Sequence, residues 1–125
     1  MEDLVKLGRE FVQAMRNRRG IVHVDDIYAE NAESVEAVVP PGRDERIAKG
    51  RGAIKAKRES WAATHTIHKL DADGPYVHPP NRFVVRFEAE VTQKDTGRLM
   101  NLREIAVYSV EEGKIVREEF FMLPK

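Results

Sequence analysis

The sequence predicts an α+β domain in which three N-terminal helices pack on a strongly curved, mainly antiparallel sheet, forming a cone with an internal pocket. Two changes of pattern predict it. Apolar residues recur at spacings of three and four in the first half of the chain, and from His65 onward they recur at every second position. Size supplies a third observation: 125 residues with 42% apolar and 34% charged side chains suit one domain spanning 1–125. A chain of this length hides roughly two-thirds of its unfolded surface, enough for a core and one ligand cavity.

The first helix is expected over Asp3 to Arg18, where Leu4, Leu7, Phe11, Ala14 and Met15 form one stripe. Basic residues and Gly20 end it. A second, short helix fits Ile21 to Ala29, with Ile21, Val24, Ile27 and Tyr28 on one face. Glu33 to Val39 alternates as a strand, and Pro40-Pro41-Gly42 stops it. Arg43 to Arg51 reads as a solvated loop, and Gly52 to about Thr64 as a third helix with Ile54, Trp61 and Ala62 as its apolar contacts. Three long extended segments follow, the clearest being Arg82 to Thr92, with Phe83, Val85, Phe87, Ala89 and Val91 on one side. Turns at Lys94-Asp95-Thr96-Gly97 and Glu111-Glu112-Gly113-Lys114 join it to Leu99–Val110 and Ile115–Leu123 in a meander.

Composition removes whole classes of function. Disulfide scaffolds and thiolate metal sites need cysteine, and there is none. Twenty-one basic against 21 acidic residues leave no net positive field to attract nucleic acid, and the basic stretch Arg43 to Arg58 is interspersed with acids, as on a solvated surface. No apolar run approaches the roughly 20 residues that cross a bilayer, and Met1 to Arg9 lacks a cleavage-site pattern, so a cytoplasmic protein is expected with no membrane partner. His23, His65, His68 and His78 show no metal-ligand spacing, and neither a metal nor another cofactor is called for.

The order of elements, together with Tyr28-Ala29-Glu30-Asn31-Ala32, Gly50-Arg51-Gly52-Ala53-Ile54 and Val107 to Val116, resembles the SnoaL-like branch of the nuclear transport factor 2-like superfamily. That superfamily includes ketosteroid isomerases, polyketide cyclases and dehydratases as well as binding modules, so the resemblance carries a fold and only an analogy about chemistry. Aligned on Tyr28, the proton-abstracting carboxylate of the isomerases coincides with Glu36. Their oxyanion-binding tyrosine coincides with Val12, and their protonated aspartic acid falls near Ala106, so both donors of that pattern are missing. Glu104 and Tyr108, one pleat either side of Ala106, offer substitutes.

Taken by themselves, these residues leave alternatives open. Glu36 lies opposite Val35, Ala37 and Val39, so it points to pocket or solvent; in an apolar hollow its pKa would rise and make it a better base. Glu104 shares an apolar face with Met100, Leu102, Ala106 and Tyr108, and Glu118 alternates with Val116, Phe120 and Met122. Two such carboxylates in a dry cavity would couple, one keeping its proton, unless Arg58, Arg86 or Arg103 pairs with them. Phe11, Met15, Trp61, His78, Phe87, Met100 and Phe120 are expected to contact a ligand.

The function expected is that of a small-molecule pocket protein, acting on a hydrophobic carbonyl compound by cofactor-free proton transfer, with Glu36 as base, Glu104 or Tyr108 as donor and Glu118 as a second carboxylate. The alternatives are a noncatalytic binding module and a dimerisation domain. Ile105, Val107, Ile115 and Phe121 on the outer sheet face predict a homodimer through that convex face.

Overall fold

A computed structural model describes residues 1–18, 23–39 and 44–124. The elements are α1 (Glu2–Arg16), α2 (Val24–Ile27), β1 (Tyr28–Val35), β2 (Ile47–Lys49), α3 (Arg51–Thr64), β3 (His65–His78), β4 (Arg82–Gln93), β5 (Leu99–Glu111) and β6 (Lys114–Met122). The strands form one sheet in the order β2-β1-β6-β5-β4-β3, antiparallel throughout except for the parallel pair β1 and β6. Helices cover one face, giving the α+β architecture that the change of period predicts.

Helix α1 buries Leu4, Leu7, Phe11, Val12 and Ala14 against the sheet. Phe11 packs on Tyr108 with ring centres 4.4 Å apart, and Tyr108 stacks on Phe83 at 4.8 Å. Gly8 lets the helix approach β3 closely, since a Cβ there would lie 2.8 Å from the Pro75 ring carbons. The Arg16 guanidinium then donates to the Ala72 carbonyl at 2.9 Å.

Several boundaries differ from expectation. The second helix is one turn, Val24–Ile27, because Tyr28 adopts extended geometry and begins β1 opposite Ile115; its expected start at Ile21 lies outside the described residues, as does the Pro40-Pro41-Gly42 stop. Strand β1 therefore runs five residues earlier than Glu33–Val39 suggests, and Val38 and Val39 are exposed. Pairing with β6 outweighs the local alternation. The short strand β2 lies inside the expected loop and pairs with β1, and β3 adds a fourth long strand where three are expected.

The outer-face patch also needs correction, because Ile115 is fully buried. Ser109 pairs with Arg117 while the next residue, Val110, pairs with Ile115, so β6 carries one extra residue there. That bulge reverses the facing of everything before it. The hairpin between β5 and β6 turns at Glu112 and Gly113, both at positive φ (50° and 76°), as a two-residue turn matched to strand twist requires.

Candidate functional site

The parallel pairing of β1 and β6 sets Ser34 opposite Glu118, inside the cone. Glu118 is fully buried. Its Oε1 accepts the Tyr28 hydroxyl hydrogen and an Arg58 N–H at 3.0 Å, and its Oε2 accepts the Ser34 hydroxyl at 2.6 Å. Arg58 also donates to the Tyr28 oxygen at 2.7 Å, while Lys57 donates to the Ser34 oxygen and to Glu36 Oε1. Each β1 hydroxyl thus gives its hydrogen to Glu118 and accepts from a cation of α3. A buried carboxylate is tolerable only with such pairing.

Charge counting isolates one residue. Glu36 and Glu118 are matched by Lys57 and Arg58, so the network is neutral without Glu104. Glu104 stands on β5 opposite Phe87, and among the described residues its carboxyl has no hydrogen bond or ion pair. Burial pushes its pKa up to about 7, with the nearby Glu36 and Glu118 charges adding and Lys57 opposing. Tyr28 and Tyr108 are raised well above the ordinary phenol value, chiefly by burial, and keep their hydroxyl hydrogens. The carboxyl raised to about neutral pH is therefore one with no fixed partner.

A cavity of about 1060 Å³ lies between α3 and the sheet. Ala53, Ala56 and Ser60 make its helical wall, and Leu70, Phe87 and Leu102 its sheet wall. Glu36, Lys57, Glu104 and Tyr108 provide polar groups within it, and Lys57 lies 4.9 Å from the centre of the Phe120 ring. Trp61, more than a third exposed, stacks on His65 at 4.3 Å with an 8° angle between the planes, and both line the cavity.

Of the residues singled out from sequence, Glu36, Glu104, Tyr108, Met15, Trp61, Phe87 and Phe120 line this cavity together. Glu118 lies behind them, reached through Ser34 and Lys57. Phe11 is core, between Tyr108 and Phe83. His78 is exposed at the far end of β3 from His65, and Met100 pairs with Val91 outside the lining.

Reading the stretch Arg43 to Arg58 as solvated is wrong at its end, where Lys57 and Arg58 keep only 17% and 14% of their side chains exposed. Sequence reasoning also passed over Ser34. The spacing Ile54, Lys57, Trp61 marks one helical face and could have placed Lys57 inward. Nothing local marks Ser34, whose partner is 84 residues away.

Fold and cavity together define an α+β cone built around an enclosed polar cluster. The SnoaL-like domain family matches residues 6–122, and the chain belongs to that family. Solved structures agree. A Mesorhizobium loti protein provisionally described as a SnoaL-like polyketide cyclase, and also as a carbohydrate phosphatase, is 28% identical, with a TM-score of 0.84 over 93% of this chain and 96% of its own. A Bacillus subtilis protein provisionally described as an isomerase is 19% identical, with a TM-score of 0.76 over 98% of this chain and 88% of its own. A nuclear transport factor 2-like protein of unknown function from Burkholderia pseudomallei is 22% identical, with a TM-score of 0.74 over 98% and 92%. The last two bear on the fold alone. No curated protein matches the chain. No helix among the described residues is long and apolar enough to cross a membrane.

Proposed function

We propose that this chain binds a hydrophobic carbonyl compound in its cone and moves a proton on it without a cofactor. The observation that carries the reading is Glu104, a cavity-lining carboxyl with no fixed partner and a pKa near neutrality. General acid–base catalysis is most effective when the group's pKa lies near the working pH. Protonated Glu104 donates to the carbonyl oxygen, with the Tyr108 hydroxyl as a second donor on the same strand face. Glu36, paired with the Lys57 ammonium, removes the proton beside the carbonyl. Glu118 does not touch the ligand and serves by fixing the network behind it.

The same proposal includes a single domain, a cytoplasmic location resting on composition, and a homodimer through the outer sheet face. There Tyr76, Val84 and Val107 form one cross-strand row, and Ile105 and Phe121 pair in the next. Tyr76 and Phe121 are about half exposed, an apolar patch that association would cover.

The test is α-proton exchange of a bicyclic ketone, 1-tetralone, followed by NMR in deuterated buffer near pH 7. Exchange above the buffer rate that disappears in Glu104→Gln and Glu36→Gln supports the reading. Uptake of the ketone, seen as a change in Trp61 emission, with no exchange would instead favour a binding module. Neither uptake nor exchange across a panel of hydrophobic ketones would overturn the reading.

A further inference from the structure

We propose that Ser34 is a positioning residue for this site, its hydroxyl holding the Lys57 ammonium on the Glu36 side of the cavity and away from Glu104. The direction of two hydrogen bonds carries the inference. A serine hydroxyl has one hydrogen, and a carboxylate can only accept. Glu118 is paired with Arg58, so the Ser34 hydrogen goes to its Oε2 at 2.6 Å. The Ser34 oxygen is left with lone pairs alone, and the Lys57 ammonium, which can only donate, fills that place. Lys57 thereby has three acceptors on one side: the Ser34 oxygen, Glu36 Oε1 and, at 3.9 Å, Glu118 Oε2.

Lys57 and Glu104 line the same cavity and already interact electrostatically. Around Glu104 stand Glu36 just beyond β1, Lys57 on α3, Glu118 on β6 and Tyr108 on its own strand, while Arg58 of α3 is held by Glu118 and Tyr28. Lys57 is therefore the cation best placed to pair with Glu104, and pairing would convert a proton-carrying carboxyl into an ordinary ion pair. The Ser34 hydroxyl opposes that outcome. Ser34 never touches the ligand, and its role rests on the reading of Glu104 as the proton carrier.

Thr and Val are nearly the same shape and differ by the hydroxyl, so Ser34→Thr and Ser34→Val isolate it. The readout is the Glu104 side-chain carbon resonance titrated by NMR in the full chain, assigned by its loss in Glu104→Gln. In the parent and Ser34→Thr the midpoint should lie near neutrality. In Ser34→Val it should fall by about one pH unit or more, the effect of a new opposite charge within a few ångströms. A folded Ser34→Val with an unmoved midpoint overturns the role of Ser34 and leaves the acid–base reading standing. An ordinary carboxyl midpoint in the parent overturns the acid–base reading itself. Should Ser34→Val not fold, the parent decides: Lys57 ammonium protons showing NOEs to the Ser34 methylene support the proposal, and NOEs to the Glu104 methylenes instead overturn it.

Discussion

Arg58 and Glu118 meet at 3.0 Å with the carboxylate entirely removed from solvent, so Glu118 has no water to fall back on and Arg58 little. Removing one partner leaves the other uncompensated, which typically costs about 3–5 kcal/mol. Glu118→Gln and Arg58→Met should each lower stability on that scale in urea denaturation. A loss below about 1 kcal/mol would show that the pair is not buried as described.

Glu104 carries the opposite sign. Its pKa is near 7 in the folded protein against an ordinary value of 4.5, so folding favours the protonated form. Below about pH 4.5 both states are protonated and burial of this group brings no ionisation penalty; the penalty grows as pH rises and is complete above about 7, at roughly 3 kcal/mol for a shift of this size. Glu104→Gln should therefore match the parent near pH 4 and exceed its stability increasingly up to pH 8. Parallel curves for the two proteins would contradict the shift.

Gly8 sits inside α1, where alanine ordinarily stabilises a helix by about 1 kcal/mol. Here the added methyl meets the Pro75 ring at 2.8 Å. Gly8→Ala is expected to lower the melting temperature because α1 must back away from β3. An increase would mean that the helix has room to shift.

Phe121, about half exposed and paired with Ile105, lies in the proposed dimer surface. Phe121→Glu should yield a folded monomer in light scattering where the parent at micromolar concentration gives a dimer. A monomeric parent would remove the dimer proposal.

Elements whose stability is local were legible in the sequence. The stripe of α1, the alternation of β4 and the Glu112-Gly113 turn follow from side-chain period and backbone preference, and they lie where expected. Elements defined by distant pairing were not. Tyr28 has helical neighbours but is drawn into a parallel ladder with β6, and Ile115 faces inward through a bulge that no single-residue signal announces. At the site, Glu104 could be suspected from its apolar strand face, and the structure brings it into one cavity with Glu36 and Tyr108. The roles of Ser34 and Lys57 depend on a carboxylate far along the chain, which periodicity cannot supply.

Helix α3 contributes only Ile54 to the fully buried interior, and it faces the cavity with Ala53, Ala56 and Ser60. Shape and apolar cohesion are thus divided between different parts of the molecule: the sheet and α1 supply the apolar core, whereas α3, anchored by Lys57 and Arg58, sets the contour of the hollow. Enlarging those three small side chains would re-cut the cavity for a smaller guest at little thermodynamic cost, making this helix the natural place for evolution or an engineer to change what the protein accepts.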